Sequence, residues 1–400
     1  MSELSHGGRR SSIIWIAAKD GAVGISWYAI PSAFSLIASS FNENVSGLGL
    51  LGTAFFLGIG ISQVPVGLLT ARVGPTKILL LGSFLSSFSS LASGLAPTLG
   101  YIVLARFAFG VGMGFIFIPG LTLTATYSKA GSEGFNTGLY IGSFWVGGIV
   151  GIFGWGLLAG VIGWRYSLLI SGAIDLVTSV MLVAFLPRDE ITKGFRITIP
   201  DLRKLFLNNS LIILAVAYGS TQVGLLLSSY FTVYYLQNGL NLSQVLAGLI
   251  GSLTLVGALV GSPLAGKLYD KSSPHTRVIL VSGLTCALAL GLYATNSVYG
   301  AAVSTILTGL AVGFQQLVVL SAARGLVAGI RQYEVLAQSW VSVISILASF
   351  WFPQVFSALV LSSGYSVAWM AAAVFSLVLS FSILTLKRYR VIRTDPPASD

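Results

Sequence analysis

Four ionisable side chains lie inside stretches of sequence that are otherwise apolar: Lys19, Asp20, Arg106 and Asp175. A charged group is costly in apolar surroundings, so residues of this kind are candidates for function. A guanidinium or ammonium group can hold an anion. A buried carboxyl group favours its protonated form when it is far from any cation, and its charged form when an arginine is close. These residue types therefore suit anion binding and proton movement.

Three of the four have a second interpretation. Asp20 lies only seven residues after Ile13, where the first apolar stretch begins. An interfacial pair at the end of a long helix is therefore the alternative for Lys19 and Asp20. Asp175 is expected to be structural, as a protonated carboxyl hydrogen-bonded to hydroxyl groups. The serines available for that are Ser83, Ser86, Ser87 and Ser90.

Amides and aromatic rings within apolar stretches are further candidates, because they suit contact with a small polar organic solute. The residues predicted to line a cavity are Trp27, Tyr28, Tyr140, Trp145, Gln222, Tyr230, Tyr234, Gln315, Gln316, Gln338 and Trp340. For the aromatic residues, ordinary packing or an interfacial belt is the alternative. Gln315 and Gln316 are the stronger signal, since two adjacent amides deep in a membrane need hydrogen-bond partners.

Composition indicates what kind of element positions these residues. Only 8% of the 400 residues are charged, and 55% are hydrophobic, whereas about 25% of a soluble domain is charged. The mean hydropathy is +0.88. Such a chain cannot cover a water-facing surface, so lipid is the solvent for most of it. No His or Cys cluster has metal-ligand spacing, so neither a metal nor a cofactor is expected.

Twelve apolar stretches approach the roughly 20 residues that a membrane crossing needs. Their predicted limits are 13–40, 47–70, 77–96, 100–127, 134–160, 165–186, 210–236, 244–268, 277–296, 299–323, 334–360 and 365–386. A polar bridge, 187–209, holds eight of the 34 Asp, Glu, Lys and Arg residues. The prediction is an all-α membrane protein with pseudo-symmetric six-helix bundles at 1–186 and 210–400, the second with a short basic tail, and a linker at 187–209.

The basic residues predict the orientation. Nineteen of the 22 Lys and Arg residues fall on the side of the N-terminus, which favours cytoplasmic termini, a cytoplasmic bridge and a multi-pass protein of the plasma membrane. Basic residues along one membrane face also account for the net charge of +10. Nucleic acid therefore need not be invoked as a partner.

A signature turn follows the second stretch. It reads GLLTARVGPTK, from Gly67 to Lys77. The turn resembles the signature loop of the major facilitator superfamily, Gly-x-x-x-Asp-Arg-x-Gly-x-x-Lys, with Arg72 and Gly74 in register. Ala71 stands where the family has the aspartate.

Two more places carry the same resemblance, which covers essentially the whole chain. The turn after the eighth stretch keeps an acidic and a basic residue, Asp270 and Lys271. In the fourth stretch, Arg106-x-x-x-Gly110-x-Gly112 resembles the family's second motif.

The resemblance implies a transporter that works by alternating access, with spans 1 and 4 lining a central cavity. Symporters of the family often pair an acidic residue of span 1 with the arginine of span 4. Asp20 and Arg106 sit at positions compatible with that pair, and Lys19 is a rival partner. The signature turns suit a latch that closes one side of the protein. The latch residues are Gly67, Arg72, Gly74, Lys77, Asp270 and Lys271.

We therefore expect a monomeric secondary transporter that moves a small polar organic solute, with an organic anion favoured, by symport with a proton. An efflux antiporter for amphipathic compounds, a facilitator and a sugar uniporter remain the alternatives. The proline motif of the family's drug antiporters is missing from span 5, and Gly120 stands where sugar porters have an acidic residue after Pro119. An intramembrane enzyme is disfavoured, because no catalytic motif lies within a span. A sensor that binds without transporting would differ from a carrier only in its flux.

Overall fold

The helices of this computed structural model follow the apolar stretches of the sequence. It describes residues 6–129, 132–187, 203, 205–271, 275–327 and 331–386, and every regular element there is helical. The first helices are α1 His6–Ser32, α2 Phe34–Phe41, α3 Val45–Val73, α4 Pro75–Gly94, α5 Leu99–Tyr127, α6 Glu133–Ile149, α7 Trp155–Ile162 and α8 Trp164–Phe185. The later ones are α9 Asn209–Asn238, α10 Gln244–Lys271, α11 His275–Tyr293, α12 Val298–Gly325, α13 Arg331–Ser349 and α14 Phe352–Phe381. Most of the bridge and the basic tail lie outside the described residues.

Ten segments of the described chain are long and apolar enough to cross a membrane. One of them, Leu336–Thr385, is 50 residues long and turns at Gly364, where φ is 83°, so it accounts for two crossings. The helix α4 is not among the ten, but its 20 residues reach across a bilayer core at 1.5 Å per residue. The all-helical fold and the count of twelve spans are thus confirmed, while their orientation remains a prediction.

Three spans are less regular than expected. The first, predicted as one stretch from 13 to 40, is broken at Ala33, two residues after Pro31, and continues as α2. The fifth contains a π-helical turn, Val150–Gly154, between α6 and α7. The eleventh is interrupted between α13 and α14, and α14 runs on into the twelfth through Gly364.

The helices α1–α8 pack mainly among themselves, and so do α9–α14. The two sets, called the first and second half below, meet where α3 packs on α13 and α14, α6 on α10, and α1 on α9. The proximal face is the one where α1 begins and α8 ends, with Ser12 Oγ donating to the Phe185 carbonyl at 2.8 Å. The distal face is the opposite one, where α1 ends.

Close helix contacts through glycine occur at corresponding places in the two halves. A Cβ on Gly110 of α5 would collide with the Phe55 carbonyl of α3. A Cβ on Gly309 of α12 would likewise collide with the Thr254 carbonyl of α10. Small residues let helix backbones approach closely in a membrane. The two contacts are consistent with the pseudo-symmetric bundles predicted from the sequence.

Candidate functional site

The Arg106 side chain joins the two halves in the distal part of the protein. Its exposure is 1%. Nη1 donates to the Ser26 carbonyl at 3.2 Å, and Nη2 to the Trp27 carbonyl at 3.1 Å, both in α1. Nη2 also donates to the Tyr230 hydroxyl in α9 at 2.7 Å. One guanidinium thus binds both the first and the second half.

Pro31 helps to explain why α1 offers a carbonyl here. Proline has no N–H group, so it cannot donate to the carbonyl four residues earlier in the helix. That carbonyl belongs to Trp27, and Arg106 donates to it instead. The proline therefore creates an acceptor in the middle of a membrane helix.

Aromatic rings surround the guanidinium. The Arg106 Cζ atom lies 4.5 Å from the ring centroid of Phe55 and 4.9 Å from that of Phe109. No carboxylate pairs with it, since the ion pairs among the described side chains are Lys19–Asp175 and Arg324–Glu334. Its Nε also has no hydrogen-bond partner. Arg106 is a buried positive charge with an N–H group still free.

A second polar contact lies beside it. Ser229 Oγ of α9 donates to the Tyr28 hydroxyl of α1 at 3.1 Å, and the Tyr28 ring stacks on that of Trp27 at 5.8 Å. We call Trp27, Tyr28, Arg106, Ser229 and Tyr230 the central seam. It contains four of the residues predicted to be functional.

Side chains also join the halves at the distal face. Ser35 Oγ donates to Gln237 Oε1 at 2.7 Å, and Gln244 Nε2 donates to the Ser32 carbonyl at 2.9 Å. Gln354 Nε2 donates to Ser46 Oγ at 3.3 Å. We call these contacts the distal seal, because they hold the halves together at that face.

Lys19 lies wholly inside the first half. Its ammonium pairs with Asp175 Oδ1 of α8 at 2.7 Å, and both side chains are fully buried. Ser86 and Ser87 of α4 donate to Asp175 Oδ2 at 2.8 and 3.1 Å. Two of the four serines named for Asp175 thus contact its carboxyl group, while the Ser83 hydroxyl has no partner. The ion pair with Lys19 was not expected. The alternative of an interfacial Lys19–Asp20 pair is also wrong, since both side chains are fully buried.

Asp20 does not meet Arg106. Its side chain is fully buried, and neither carboxyl oxygen has a hydrogen-bond partner. The Tyr140 hydroxyl and the Lys19 ammonium are its electrostatic neighbours. That hydroxyl donates to the carbonyls of Ile116 and Phe117 at 3.4 and 3.2 Å. The expected Asp20–Arg106 pair is therefore not formed, because Arg106 is bound at the seam about 10 Å further along α1, at 1.5 Å per residue.

Comparison with known proteins fits this architecture. The sequence profile of the Major Facilitator Superfamily matches residues 21–332 and 228–400, which together span nearly the whole chain. The chain belongs to the Major Facilitator Superfamily. It is a multi-pass membrane transporter and not an enzyme, and it is similar to bacterial transporters of the plasma membrane.

Curated relatives of this transporter include carriers of acids. The 3-(3-hydroxy-phenyl)propionate transporter of Escherichia coli (strain K12) is 25% identical over 294 residues, 72% of each chain. A probable sulfoacetate transporter of Cupriavidus necator is 28% identical over 177 residues, 44% of this chain and 41% of that protein. Among solved structures, a D-xylose–proton symporter superposes with a TM-score of 0.76 at 16% identity, covering 95% of this chain and 98% of that one. The structural likeness concerns the fold.

Gln315 of the transporter is bound inside the second half. Its Oε1 accepts hydrogen bonds from Thr221, at 2.5 Å, and from Ser220, and its Nε2 donates to the Ile279 carbonyl at 2.9 Å. The neighbouring Gln316 is only partly buried. The sequence predicts the same cavity-lining role for both glutamines, but in the structure only Gln315 is fully buried.

The other predicted cavity residues are spread over the transporter. Trp340 stacks on Phe206 at 4.3 Å, and Gln338 Nε2 donates to the Leu320 carbonyl at 3.2 Å, so both lie in the proximal part of the second half. Tyr234 meets Phe34 edge-on at 5.5 Å. Gln222 is buried in α9, and Trp145 is buried beside Phe144. These residues do not join the central seam.

The proposed latch is only partly described. Gly74 has a φ of 98° and ends α3, and Lys77 lies in the first turn of α4. Gly67 faces Leu336 across the halves, and a Cβ added to this glycine would lie 3.1 Å from the leucine Cδ2. The side chains of Arg72, Asp270 and Lys271 lie outside the description. The latch remains a prediction.

Sequence reasoning missed three residues of the site. Ser229 contacts Tyr28, and Phe55 and Phe109 lie against the Arg106 guanidinium. A serine or a phenylalanine in an apolar helix carries no signal of its own. Their positions follow from the packing of α3, α5 and α9, which the sequence does not display.

Proposed function

We propose that this transporter takes up a small organic anion, for which an aromatic carboxylate is the best fit, together with a proton. The observation that carries the proposal is the buried Arg106 guanidinium, which lies between the halves without a carboxylate partner among the described residues. A buried charge needs a counter-charge. A substrate carboxylate supplies one.

The aromatic residues around Arg106 also favour an aromatic substrate. Phe55, Phe109 and Tyr230 lie around the guanidinium, and rings of this kind stack well on another ring. The free Nε of Arg106 offers a donor that an incoming carboxylate can use. The two relatives named as 3-(3-hydroxy-phenyl)propionate and sulfoacetate transporters support this substrate class.

Asp20 is the group proposed to carry the proton. A fully buried carboxylate without hydrogen bonds or a salt bridge is strongly disfavoured. Asp20 is therefore stable here as a neutral carboxyl group. It becomes charged when the transport cycle brings a cation or water to it.

Uptake by proteoliposomes tests the anion site. We expect uptake of labelled 3-(3-hydroxyphenyl)propionate, and Arg106→Gln should lower its apparent affinity at least tenfold. That factor follows from about 1.5–3 kcal/mol for hydrogen bonds to a charged group, at about 1.4 kcal/mol per tenfold change.

Arg165→Gln is the matched control. Arg165 also donates to a backbone carbonyl, that of Ala96 at 2.6 Å, and lies over an aromatic ring, that of Trp164. It is in the distal part of the first half but outside the seam, so its replacement should leave affinity unchanged. Equal losses in the two variants would contradict the anion site. So would efficient uptake of xylose with no uptake of 3-(3-hydroxyphenyl)propionate.

An imposed pH gradient tests the coupling. The wild type should accumulate the anion when the outside is more acidic, and Asp20→Asn should lose this accumulation. If the wild type does not accumulate the anion under the pH gradient, it is instead a facilitator or a carrier coupled to another ion.

A further inference from the structure

The Lys19 ammonium is enclosed by six oxygen atoms. Because an ammonium group has only three protons to donate, these six acceptors leave none for another partner. The oxygens are Ser83 O at 3.1 Å, Ser86 Oγ at 3.1 Å, Ser87 Oγ at 3.3 Å, Asp175 O at 3.2 Å, Asp175 Oδ1 at 2.7 Å and Ser179 Oγ at 2.9 Å. We call this arrangement the ammonium cage. It holds Lys19 against α4 and α8.

Asp20 follows Lys19 directly but faces a different neighbour. Successive residues of an α-helix point about 100° apart, at 3.6 residues per turn, so Asp20 is directed towards Tyr140 of α6. The Lys19 ammonium, which is nearest to Asp20 in sequence, is thus bound to α4 and α8 instead. Among the described residues Asp20 has no salt bridge. The hydroxyl of its neighbour Tyr140 donates to the carbonyls of Ile116 and Phe117, and neither Asp20 carboxyl oxygen has a partner in hydrogen-bond geometry.

The other helices that pack on α1 supply no substitute. Next to Lys19, α4 contributes hydroxyl groups, and its Lys77 lies in its first turn. In α8, Asp175 is paired with Lys19, and Arg165 donates to the Ala96 carbonyl at the distal end. Arg106 of α5 and Tyr230 of α9 bind each other in the central seam. The described part of α6 supplies Tyr140.

The corresponding positions of the second half carry uncharged residues. Ser220 lies 201 positions after Lys19, and Ser376 lies 201 positions after Asp175. Ser376 Oγ donates to the Ser220 carbonyl at 3.0 Å. Cys286 Sγ of α11 also donates to that carbonyl, at 3.6 Å. The fold therefore does not need an ion pair at this place. The pair in the first half has another role.

We propose that Asp175 is a positioning residue for proton coupling: it holds Lys19 in the ammonium cage and thereby leaves Asp20 as the carboxyl group that binds the proton. The inference rests on the proposed function. If Lys19 paired with Asp20, the carboxylate would stay charged through the whole cycle and would carry no proton.

Two variants separate this role from a purely structural one. Asp175→Asn removes the charge of the cage at nearly constant volume, so Lys19 becomes the counter-ion of Asp20. Accumulation driven by a pH gradient should fall to the level of Asp20→Asn, while substrate exchange remains measurable. The double variant Lys19→Met/Asp175→Asn removes the competing ammonium as well, and accumulation should return.

Infrared spectroscopy supplies a readout that does not depend on transport. The carbonyl stretch of a protonated carboxyl group, assigned as the band lost in Asp20→Asn, should be present in the wild type. It should be absent in Asp175→Asn and present again in the double variant. If the bands follow this pattern but the wild type does not accumulate substrate under a pH gradient, the proposed coupling is refuted. The positioning role of Asp175 is then still supported.

Three results would overturn the inference. One is an Asp175→Asn variant that still accumulates substrate and keeps the band. Another is a double variant that exchanges substrate but neither accumulates it nor shows the band. The last is the absence of an Asp20 band from the wild type. If Asp175→Asn fails to fold, the double variant alone decides, because its cage is neutral like the place of Ser220 and Ser376.

Discussion

Gln315 and Gln316 are neighbours in α12, yet only Gln315 is bound inside the protein. Its amide has partners in α9 and α11, whereas Gln316 is partly buried with no such contacts. Gln315→Leu should therefore lower the free energy of unfolding by about 1–3 kcal/mol, the cost of leaving buried polar groups unpaired. Gln316→Leu, the matched control, should change it little.

Cys286 gives a convenient measurement of this difference. It is the single cysteine of the chain and is fully buried, so a thiol-reactive dye labels it only when the protein opens. The melting temperature of Gln315→Leu should fall below that of Gln316→Leu. Equal melting temperatures would show that the Gln315 contacts contribute nothing to stability.

The four ionisable residues could be picked from the sequence, because a charge in an apolar stretch stands out by composition. Their partners could not. Lys19 meets oxygens from residues 64 to 160 positions away, and only the packing of α1 on α4 and α8 shows that. Arg106 binds a carbonyl that Pro31 leaves free. The proline is visible in the sequence, but its neighbour across the helix interface is not.

At the scale of helices, apolar length predicted the crossings well, since a bilayer sets the length of a span. It did not predict where a span is interrupted. The break at Ala33 and the turn at Gly364 depend on backbone angles. Neither changes the hydropathy of its stretch.

The glycine contact between α10 and α12 leads to a prediction about these helices. Gly309→Ala places a methyl group against the Thr254 carbonyl, so the two helices must separate. We expect a loss of about 1–3 kcal/mol of stability, as for other overpacked positions, measured by the same dye assay.

Gly138→Ala is the control for that substitution. Gly138 lies within α6, and no heavy atom comes within 4 Å of its added Cβ. Alanine is the better helix former by about 1 kcal/mol, so this variant should be at least as stable as the wild type. A Gly309→Ala variant of equal stability would mean that the helices adjust without cost.

For the whole molecule, the distal seal defines a state that alternating access must leave. In a Cys286→Ser background, Ser35→Cys/Gln237→Cys places thiols where the native side chains are 2.7 Å apart. A short thiol-to-thiol cross-linker should then stop transport in proteoliposomes, and a cleavable linker should restore it on reduction.

A cross-link within one half provides the control. Asn296 and Ser366 meet at 2.7 Å in the second half, and linking cysteines at these two positions should leave transport intact. Continued transport with the Ser35–Gln237 link complete would show that the distal face need not open.

The closed pairing in the ammonium cage has an electrical consequence. The charges of Lys19 and Asp175 cancel, so the net charge within the spans depends on Arg106 and Asp20. With a monovalent anion bound and Asp20 protonated, the net charge of Arg106, Asp20 and the anion is zero. With the site empty and Asp20 ionised, it is zero again. A carrier loaded with only the proton or only the anion would bear a net charge. Moving that charge across the membrane involves up to about 2.3 kcal/mol of electrical work per 100 mV.

A cycle with one proton per anion is therefore electroneutral, and the membrane voltage neither drives nor opposes it. Each pH unit then supports about a tenfold accumulation of the anion.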